Sequence, residues 1–373
     1  MILKSLELMK FRNYRKESFL FDPGTNVLYG DNAQGKTNVL EAIFVGGTTK
    51  SHKGSKDNEI INRDEREGHI RYTVEKKGRE TVVEIHLRKQ GKKGIAINRV
   101  PVRSSEELLG LCHLVFFSPE DLGIIRDGPE TRRRFIDMEL CQLNKIYLHY
   151  LIQYRKNLKQ RNALLKQISG NPKLKETLEI WNTGLVESGK KIIELRKEFI
   201  REIDEILHEK HSRLTGGKEE LHIEYDSCVS ADKLEEALFM AEDRDVFQGT
   251  TTVGPHRDDL RFLNGNEDIR KYGSQGQKRT AALSLKMSEI ELVEMRIGDK
   301  PILLLDDVLS ELDRNRQNYL LEQIQGVQTI ITCTGLEEYI QSGIGIDKTF
   351  HIVDGMIEDG IIEDEIVSDK MGV

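Results

Sequence analysis

Eight consecutive residues near the N-terminus carry the strongest chemical signal in this sequence. Residues 30–37 read GDNAQGKT and match the P-loop pattern in full. Glycines in such a loop let backbone N–H groups approach phosphate oxygens, the lysine adds a positive charge, and the threonine hydroxyl can ligate Mg²⁺. We therefore predict that ATP is bound by Gly30, Asp31, Asn32, Ala33, Gln34, Gly35, Lys36, Thr37 and Asn38.

Two carboxylates after an apolar run supply the second part of a nucleotide site. Residues 301–305 (PILLL) predict a buried strand, and Asp306 and Asp307 follow it directly. A buried charge is costly without a cation, so we assign Asp306 and Thr37 to Mg²⁺. Asp307 is assigned to polarise the attacking water, which makes Asp307 and Lys36 the predicted catalytic residues. The alternative is that the two aspartates only cap the following helix.

A serine- and glycine-containing segment begins a predicted helix about 30 residues before Asp306. Serine and glycine at a helix N-terminus can form an anion site, because the positive end of the helix dipole and free N–H groups meet there. A simple N-cap by the serine is the alternative. This signature segment consists of Ser274, Gln275, Gly276 and Gln277.

The elements that must hold these motifs can be predicted from periodicity. Apolar alternation over residues 69–102 predicts antiparallel strands, and a one-faced apolar pattern predicts a helix over Asn38–Phe44. Apolar runs separated by helices near the C-terminus indicate a parallel sheet. Further strands are predicted around residues 2–8, 18–21, 26–29, 114–117, 260–263, 302–305 and 329–333, with helices around 231–242 and 275–295 and a closing hairpin over 350–362.

The middle of the chain predicts a long antiparallel helical hairpin. Residues 130–213 are strongly helical in pattern and are interrupted by the breaker cluster at 169–172. With roughly 35 residues in each arm, the hairpin would reach on the order of 50 Å. Gly184 and Gly189 predict a kink or close packing. We therefore divide the chain into a head, residues 1–130 and 250–373, and an inserted helical arm, residues 131–249.

Charge is unevenly distributed along the 373 residues, although the net charge is −7. Residues 50–103 hold 15 Lys and Arg against 8 Asp and Glu, whereas residues 219–247 hold 10 acidic residues against 2 basic ones. Basic segments can contact phosphates without reading base sequence, or can be ordinary solvated surface. The DNA-contact candidates are Arg155, Lys156, Lys159 and Arg161 in the helical stretch, and Lys76, Lys77, Lys92 and Lys93 in the strands.

Composition excludes several classes of protein. No run approaches the ~18 apolar residues of a membrane span, and the N-terminus alternates apolar and charged residues where a signal peptide has an apolar block. We therefore expect a cytoplasmic protein without a membrane partner. The four cysteines form no Cys-x-x-Cys pair, which argues against a zinc ribbon or a disulfide framework.

Seven motifs together resemble one family. The motifs lie at residues 11–14 (FRNY), 30–38, 117–122 (FSPEDL), 128–137 (GPETRRRFID), 254–259 (GPHRDD), 273–280 (GSQGQKRT) and 303–313 (LLLDDVLSELD). The set is similar to the bacterial RecF family of DNA replication and repair proteins, which belong with SMC-like, ABC-type ATPases. This resemblance implies an α/β fold: an ABC-type ATPase head, with a P-loop and a mixed sheet with an antiparallel β lobe, and an inserted antiparallel helical arm.

The resemblance also implies an activity. It implies a homodimer that forms over ATP and Mg²⁺, with the signature segment of one subunit facing the nucleotide of the other. It further implies recognition of single-strand–duplex junctions at DNA gaps, work with RecO and RecR to load recombinase on single strands, and a part in the SOS response. The activity would be a slow ATPase that serves as a switch rather than a metabolic enzyme.

Three positions depart from the usual ABC pattern. Asp307 stands where most ABC ATPases have glutamate, which suggests slow turnover. Thr332 or Thr334 occupies the region of the usual switch histidine, and Glu120 is only a candidate for the glutamine expected after residue 117. The competing functions are a transporter's nucleotide-binding subunit and a small-molecule P-loop kinase. The long arm and the threonines argue against the first, and the unexplained segments around Ser274 and Ser310 argue against the second.

Two charged runs have more than one interpretation. Arg132, Arg133 and Arg134 could contact nucleotide or DNA, or could pair with acidic segments in a dimer. Residues 256–259 (HRDD) could form a metal or acid–base cluster, but we favour an ion-paired turn near the dimer interface.

Overall fold

The computed structural model describes residues 1–168, 170–336 and 345–358, in which strands and helices alternate in a mixed α/β order. The strands are β1 (Ile2–Phe11), β2 (Tyr14–Leu20), β3 (Thr25–Tyr29), β4 (Glu67–Lys76), β5 (Arg79–Arg88), β6 (Gly94–Ile97), β7 (Val100–Pro101), β8 (Leu114–Phe117), β9 (Leu221–Asp226), β10 (Asp259–Asn264), β11 (Glu267–Asp268), β12 (Ile302–Asp306), β13 (Thr329–Cys333), β14 (Lys348–Val353) and β15 (Met356–Glu358). The helices are α1 (Lys36–Thr48), α2 (Leu122–Arg126), α3 (Pro129–Leu143), α4 (Lys145–Ile168), α5 (Leu178–Thr215), α6 (Leu234–Met240), α7 (Glu242–Gln248), α8 (Ile269–Tyr272), α9 (Gln275–Ile297) and α10 (Arg314–Gln323).

The chain forms two compact units. The nucleotide-binding unit contains residues 1–107, 116–118 and 301 onward, and the helical unit contains residues 108–115 and 119–300. Residues 108–115, 119–130 and 250–300, which were predicted to belong to the head, pack in the helical unit. The reason is that α9 buries its apolar residues in one core with those of α3, α4 and α5.

Two sheets form the nucleotide-binding unit. One is antiparallel, with the strand order β2-β1-β4-β5-β6-β7, and corresponds to the predicted alternation over residues 69–102. The other has the order β15-β14-β3-β13-β12-β8. In it β3 lies between β13 and β14 and is parallel to both, while β12 is parallel to β13. The carboxyl ends of β3, β12 and β13 therefore lie at one edge, where the P-loop and the aspartate pair begin.

Antiparallel helices form the frame of the helical unit. Arg161 of α4 donates a hydrogen bond to Asn182 of α5. Tyr147, nearer the start of α4, accepts a hydrogen bond from Arg196, which lies farther along α5. This pairing sets α4 and α5 antiparallel, as predicted. Apolar side chains of α5, including Leu185, form the seam, and a three-stranded sheet of the order β11-β10-β9 completes the unit.

The hairpin differs from the prediction in two details. Asn144 separates α3 from α4, because its side chain accepts hydrogen bonds from the backbone N–H groups of Ile146 and Tyr147 and so starts a new helix. The arms are therefore unequal, with 24 residues in α4 and 38 in α5. The glycines of α5 serve close packing: a Cβ at Gly184 would lie 2.4 Å from Asn157 Nδ2, and one at Gly189 2.7 Å from Leu234 Cδ2.

The C-terminal hairpin and the helix lengths complete the description. β14 and β15 pair as predicted up to Glu358, and the predicted continuation to residue 362 lies outside the described residues, as does Ser169 of the breaker cluster. Among the described residues, no helix has both the length and the apolar character that crossing a bilayer requires.

Candidate nucleotide-binding site

The loop between β3 and α1 adopts a backbone that its glycines make possible. Gly30, Ala33 and Gly35 have φ values of 142°, 66° and 115°. A Cβ at Gly30 would lie 2.4 Å from the Ile352 carbonyl oxygen, so any other residue would displace β14. The loop therefore turns tightly against the parallel sheet and leads directly into the first turn of α1, where free N–H groups can meet an anion.

Two side chains support this loop: Asn13 in the turn between β1 and β2, and Tyr14, the first residue of β2. Asn13 Nδ2 donates to the Gln34 carbonyl at 2.8 Å, Asn13 Oδ1 accepts from Asn38 Nδ2 at 2.8 Å, and the buried Tyr14 hydroxyl donates to the Gly35 carbonyl at 3.1 Å. The turn after β14 supports it from another direction, because the Gly355 N–H donates to the Gln34 carbonyl at 3.0 Å. These contacts set the loop shape before any ligand binds.

Lys36 lies against the loop that it serves. Its ammonium group donates to the carbonyls of Gly30 and Asp31 at 2.5 and 2.7 Å, and its side chain is largely buried. Burial lowers the pKa of Lys36, while Asp307, Asp31 and Asp306 act in the opposite direction. A phosphate group beside this ammonium would supply an opposite charge, which favours the protonated form of Lys36 against the cost of its burial.

Asp306 joins the two halves of the predicted site. Its Oδ1 accepts hydrogen bonds from Thr37 Oγ1 and from Thr332 Oγ1, both at 2.8 Å. A hydroxyl and a carboxylate oxygen at this separation are the oxygen ligands that Mg²⁺ prefers. The donor set therefore fits the predicted metal. Thr332 orients the carboxylate through its hydrogen bond. From the sequence, Thr332 was predicted only as a residue in the region of the usual switch histidine.

Asp307 is exposed and has an unusual backbone. Its φ of 53° lies in the left-handed region, which is uncommon for residues other than glycine, although asparagine and aspartate adopt it more often than most. Its N–H donates to Thr332 Oγ1 at 3.1 Å. Ser310 Oγ donates to the Asp307 carbonyl at 2.9 Å. Strain at a residue beside a ligand site is typical of functional positions, because the surrounding contacts must hold it in place. The backbone of Asp307 is thus held in place, while its carboxylate accepts one long hydrogen bond, from Ser310 Oγ at 3.3 Å, and remains open to solvent.

A pocket of about 540 Å³ adjoins the P-loop. It is bordered by Gly30, Asp31 and Gln34 on one side, by Thr334 and the residue after it, and by Tyr29. Thr334 thus lines a pocket beside the P-loop, whereas the Thr332 hydroxyl donates to the Asp306 carboxylate.

The signature segment begins α9 in the helical unit. Ser274 Oγ accepts from the Gln277 N–H at 3.2 Å, and Gln277 Oε1 accepts from the Ser274 N–H at 2.8 Å, so the two residues form a capping box. The alternative of a simple N-cap is therefore present in the structure. Ser274 and Gln275 are also exposed, which leaves the helix N-terminus open to a ligand from outside this chain.

The helical candidates for DNA contact separate into two kinds. Lys156 and Lys159 are exposed on α4, and Arg155 is exposed but pairs with Asp137 at 2.7 Å. Arg161 is fully buried and pairs with the equally buried Asp245 at 2.7 Å. We withdraw Arg161 from the DNA-contact candidates, because a buried guanidinium cannot reach a phosphate.

The candidates on the antiparallel sheet also differ in accessibility. Lys77 and Lys92 are exposed, and Lys76 is half-buried. Lys93 is committed inside the chain, since its ammonium donates to the Thr49 carbonyl at 2.5 Å and pairs with Asp57 at 3.0 Å. Lys77 and Lys92 are therefore the accessible charges of this group.

Glu120, the candidate for the position of the glutamine expected after residue 117, is exposed.

The two ambiguous charged runs meet inside the helical unit. Arg132 is buried and donates two hydrogen bonds to the Asp259 carboxylate, at 2.6 and 3.0 Å. Asp258 is buried and pairs with Arg196 at 3.1 Å. Burial raises the pKa of Asp258, opposed by the Tyr225 hydroxyl and by Arg196. Asp258 and Asp259 are therefore ion-paired within their own chain, in line with the interpretation favoured from the sequence, and Arg132 is one of the partners. The location of this turn near a dimer interface stays a prediction.

Comparisons with known proteins agree with these features. A family model described as the RecF/RecN/SMC N terminal domain matches residues 2–354. The DNA replication and repair protein RecF of Agathobacter rectalis is 55% identical over 358 residues, which cover 96% of this chain and 99% of that protein. The protein of the same name from Clostridium perfringens is 42% identical over 363 residues, with coverage of 96% and 100%.

Solved structures show the same relationship. A structure described as the recombination mediator protein RecF-ATP in the RecFOR pathway has a TM-score of 0.90 at 38% identity and covers 95% of this chain and 96% of its own. An Smc head bound to the C-terminal winged-helix domain of ScpA has a TM-score of 0.55 at 15% identity, which shows a shared fold alone. The expected ABC-type head fold is thus confirmed, and the chain belongs to the RecF family of DNA replication and repair proteins.

Proposed function

We propose that this protein binds ATP and Mg²⁺, dimerises over the nucleotide and, in that state, binds DNA at single-strand–duplex junctions. The observation that carries the proposal is the hydrogen bond of 2.8 Å between Thr37 of the P-loop and Asp306 of the aspartate pair. It joins a complete phosphate cradle to a carboxylate 269 positions later in the chain, which is the arrangement that nucleotide-hydrolysing P-loop proteins use.

The residues of the site divide the work among them. The N–H groups at the start of α1 and the Lys36 ammonium bind the phosphates, and Thr37 and Asp306 would hold the metal. Mg²⁺, when bound, would neutralise charge on the outer phosphates. Asp307 orients the attacking water and accepts its proton, and the short aspartate side chain favours slow turnover.

The signature segment supports a dimer. Ser274 and Gln275 are exposed at the N-terminus of a 23-residue helix, where the dipole favours an anion. We infer that the phosphates held by a second subunit occupy this position. Work with RecO and RecR, recombinase loading, a part in the SOS response and a cytoplasmic location are proposed from the family alone. The family assignment leaves the transporter and kinase alternatives without support.

Analytical sedimentation tests the proposal directly. The full chain is sedimented with and without ATP and Mg²⁺, and then with gapped or fully paired duplex DNA of equal length. We expect a monomer without ATP, a dimer with ATP and Mg²⁺, and co-sedimentation of the dimer that is stronger with the gapped DNA. A monomer that persists under all conditions would contradict the dimer, and equal binding of both DNAs would contradict junction recognition.

A further inference from the structure

Helix α7 and the turn that follows it in the helical unit each present one arginine to the same pocket. Arg244 of α7 and Arg257 border an open pocket of about 320 Å³ together with Gln248 and Thr252. Arg244 Nε donates to Thr252 Oγ1 at 3.0 Å, and Arg257 Nη2 donates to the Thr251 carbonyl at 3.1 Å. Each guanidinium is thus anchored through one nitrogen, and its remaining N–H groups are available to a ligand.

No carboxylate among the described residues forms an ion pair with either arginine. The neighbouring acidic groups of α7 have other partners: Glu242 and Asp243 pair with Lys175 at 3.4 and 2.8 Å, and Asp245 pairs with Arg161. The pocket therefore carries a local positive charge inside an otherwise acidic segment. Two guanidinium groups that converge on one open pocket are suited to an oxyanion such as a phosphate.

The turn that carries this pocket is held from inside the protein. Arg161 Nη1 donates to Thr251 Oγ1 at 2.8 Å, and the Thr251 N–H donates to Asn162 Oδ1 at 2.8 Å. Asp245 Oδ1 accepts from the Thr252 N–H and hydroxyl at 2.9 and 2.6 Å. The buried groups thus fix the backbone before any ligand arrives, so binding does not have to order the turn.

His256 and Gly254 complete the support. His256 Nε2 donates to the Thr251 carbonyl at 3.0 Å, and its Nδ1 accepts from the Tyr154 hydroxyl at 2.6 Å. Burial lowers the pKa of His256 to about 4, so the ring stays neutral. Gly254 has a φ of 128°, and a Cβ there would lie 2.5 Å from the Tyr154 hydroxyl oxygen. The motif at residues 254–259 is therefore built to hold Arg257 in place.

We propose that Arg244 and Arg257 form a binding site for a phosphate of the DNA backbone, on a turn that Arg161 and Asp245 hold in position. This inference rests on the proposed DNA-binding function and gives it a location outside the nucleotide site. It also assigns a role to Arg161, which supports the DNA-contacting arginines instead of contacting DNA itself.

Salt-dependent DNA binding tests the site in the full chain with ATP and Mg²⁺. Arg244→Gln with Arg257→Gln is compared with wild type and with Arg201→Gln, which removes an exposed arginine of α5 that does not line the pocket. We expect the double variant to lose about tenfold in affinity for a gapped duplex, with a slope of log affinity against log salt that is smaller by about one to two. ATP affinity should not change. Affinity and slope equal to those of Arg201→Gln would overturn the proposal.

A second measurement separates failure of the site from failure of the proposed function. If the wild type binds no DNA, the proposed DNA-binding function is wrong, and the DNA backbone is then also wrong as the source of the bound phosphate. Inorganic phosphate is then titrated into Lys36→Ala protein, in which the P-loop no longer competes. If phosphate binds and the binding is lost when Arg244→Gln and Arg257→Gln are added, the two arginines form an anion site for free phosphate. That result would overturn the DNA backbone as the source of the phosphate. No binding in either protein would overturn the site as well.

Discussion

The nucleotide-binding unit and the helical unit place their charged residues differently. In the nucleotide-binding unit, Asp307 is exposed on the segment after a strand end, and Lys36 reaches back to the carbonyls of its own loop. In the helical unit, Arg161, Arg196 and Arg132 lie inside the protein in ion pairs with aspartates. Both kinds of residue look alike in the sequence. The difference shows that the loop motifs place their charged groups together at one edge of the sheet, although Lys36 is buried there, whereas a charge within a helical pattern predicts nothing about its accessibility.

The largest expected effect comes from breaking a buried pair. Arg161→Met would leave Asp245 charged and buried without a partner of opposite charge, and we expect the free energy of unfolding of the helical unit to fall by about 3–5 kcal/mol. The single tryptophan, Trp181, lies on α5 beside Asn182, the Arg161 partner, so its fluorescence during denaturant unfolding reports on this unit. Arg201→Met, at an exposed position, is the control and should change stability by less than about 0.5 kcal/mol. A loss for Arg161→Met as small as that of the control would contradict the buried-pair interpretation.

The next effect tests the lysine of the P-loop, which is largely buried against its own loop. Lys36→Ala removes the phosphate-binding ammonium, and we expect ATP affinity to fall by ~10²-fold, the value of one strong charged hydrogen bond. Dimerisation and DNA-stimulated hydrolysis should be lost with it, as followed by nucleotide titration and sedimentation. Lys36→Arg keeps a charge in a larger, planar group and should retain some binding with impaired hydrolysis. Unchanged ATP affinity in Lys36→Ala would remove the role assigned to the motif.

Asp307 separates binding from chemistry within the same unit. Asp307→Asn keeps the size of the side chain but cannot accept a proton, so we expect ATP hydrolysis to slow by ~10²-fold or more while ATP and Mg²⁺ affinities persist. The dimer should then accumulate, which sedimentation with ATP would show. The matched control is Asp313→Asn, which alters the N-cap of α10 and should leave the chemical step in place. Hydrolysis at the wild-type rate in Asp307→Asn would mean that another residue positions the water.

A buried carboxylate makes the stability of the helical unit sensitive to pH. Lys286 Nζ lies 3.1 Å from Glu289 and 3.4 Å from Asp121, and burial raises the pKa of nearby Glu139 to about 7, with Lys286 lowering it and Asp121 raising it. The folded state thus holds a proton that the unfolded chain loses near its ordinary pKa of 4.5. The contribution is full below pH 4.5 and declines as the pH rises through 7, by about 3 kcal/mol.

Glu139→Gln is the variant that checks this pH dependence. It keeps a neutral side chain of the same size at every pH, so the decline between pH 5 and 7 should become shallower in denaturant unfolding followed by Trp181 fluorescence. Burial also raises the pKa of neighbouring Glu289, which accounts for the part of the decline that remains. Glu130→Gln, on the same helix but in its exposed first turn, is the matched control and should keep the wild-type decline. An unchanged pH profile in Glu139→Gln would place the buried proton elsewhere.

The smallest expected effect concerns Ser274, which is exposed at the start of α9 in the helical unit. Ser274→Ala removes the N-cap of α9 and should cost about 1 kcal/mol of unfolding free energy. Ser274→Asp keeps a capping oxygen and adds a negative charge, so the monomer should remain stable and bind ATP but fail to dimerise over it. If Ser274→Asp dimerises at the same ATP concentration as the wild type, the segment is only a helix cap.

Mixing two variants extends the Ser274 test to a second subunit. In mixtures of Ser274→Arg with Lys36→Ala, a site shared between subunits places both lesions in one composite site of the heterodimer and leaves the other intact. Part of the ATPase activity that neither variant shows alone should then return. No recovery in demonstrated heterodimers would contradict the shared site.

Most of the elements and the nucleotide site were predictable from local patterns. The P-loop, the aspartate pair and the helices that begin at Lys36 and Gln275 are encoded by short runs in which spacing and residue type determine the backbone. The break at Asn144 was missed because its capping role depends on which of two helical continuations the packing selects. The supports from Asn13 and Thr332 were missed because each acts across a long sequence separation, although the FRNY motif signalled the first.

By itself, then, the sequence determined the family, the fold class and the phosphate cradle, because these depend on residues that are adjacent or regularly spaced. Tertiary structure alone decided which charges are accessible. Arg161 and Arg257 are both arginines in the helical unit, but one is paired with Asp245 in the interior and the other borders an open pocket. The physical reason is that a charge enters the interior only where a partner from a distant segment compensates its lost hydration, and no local pattern specifies that partner.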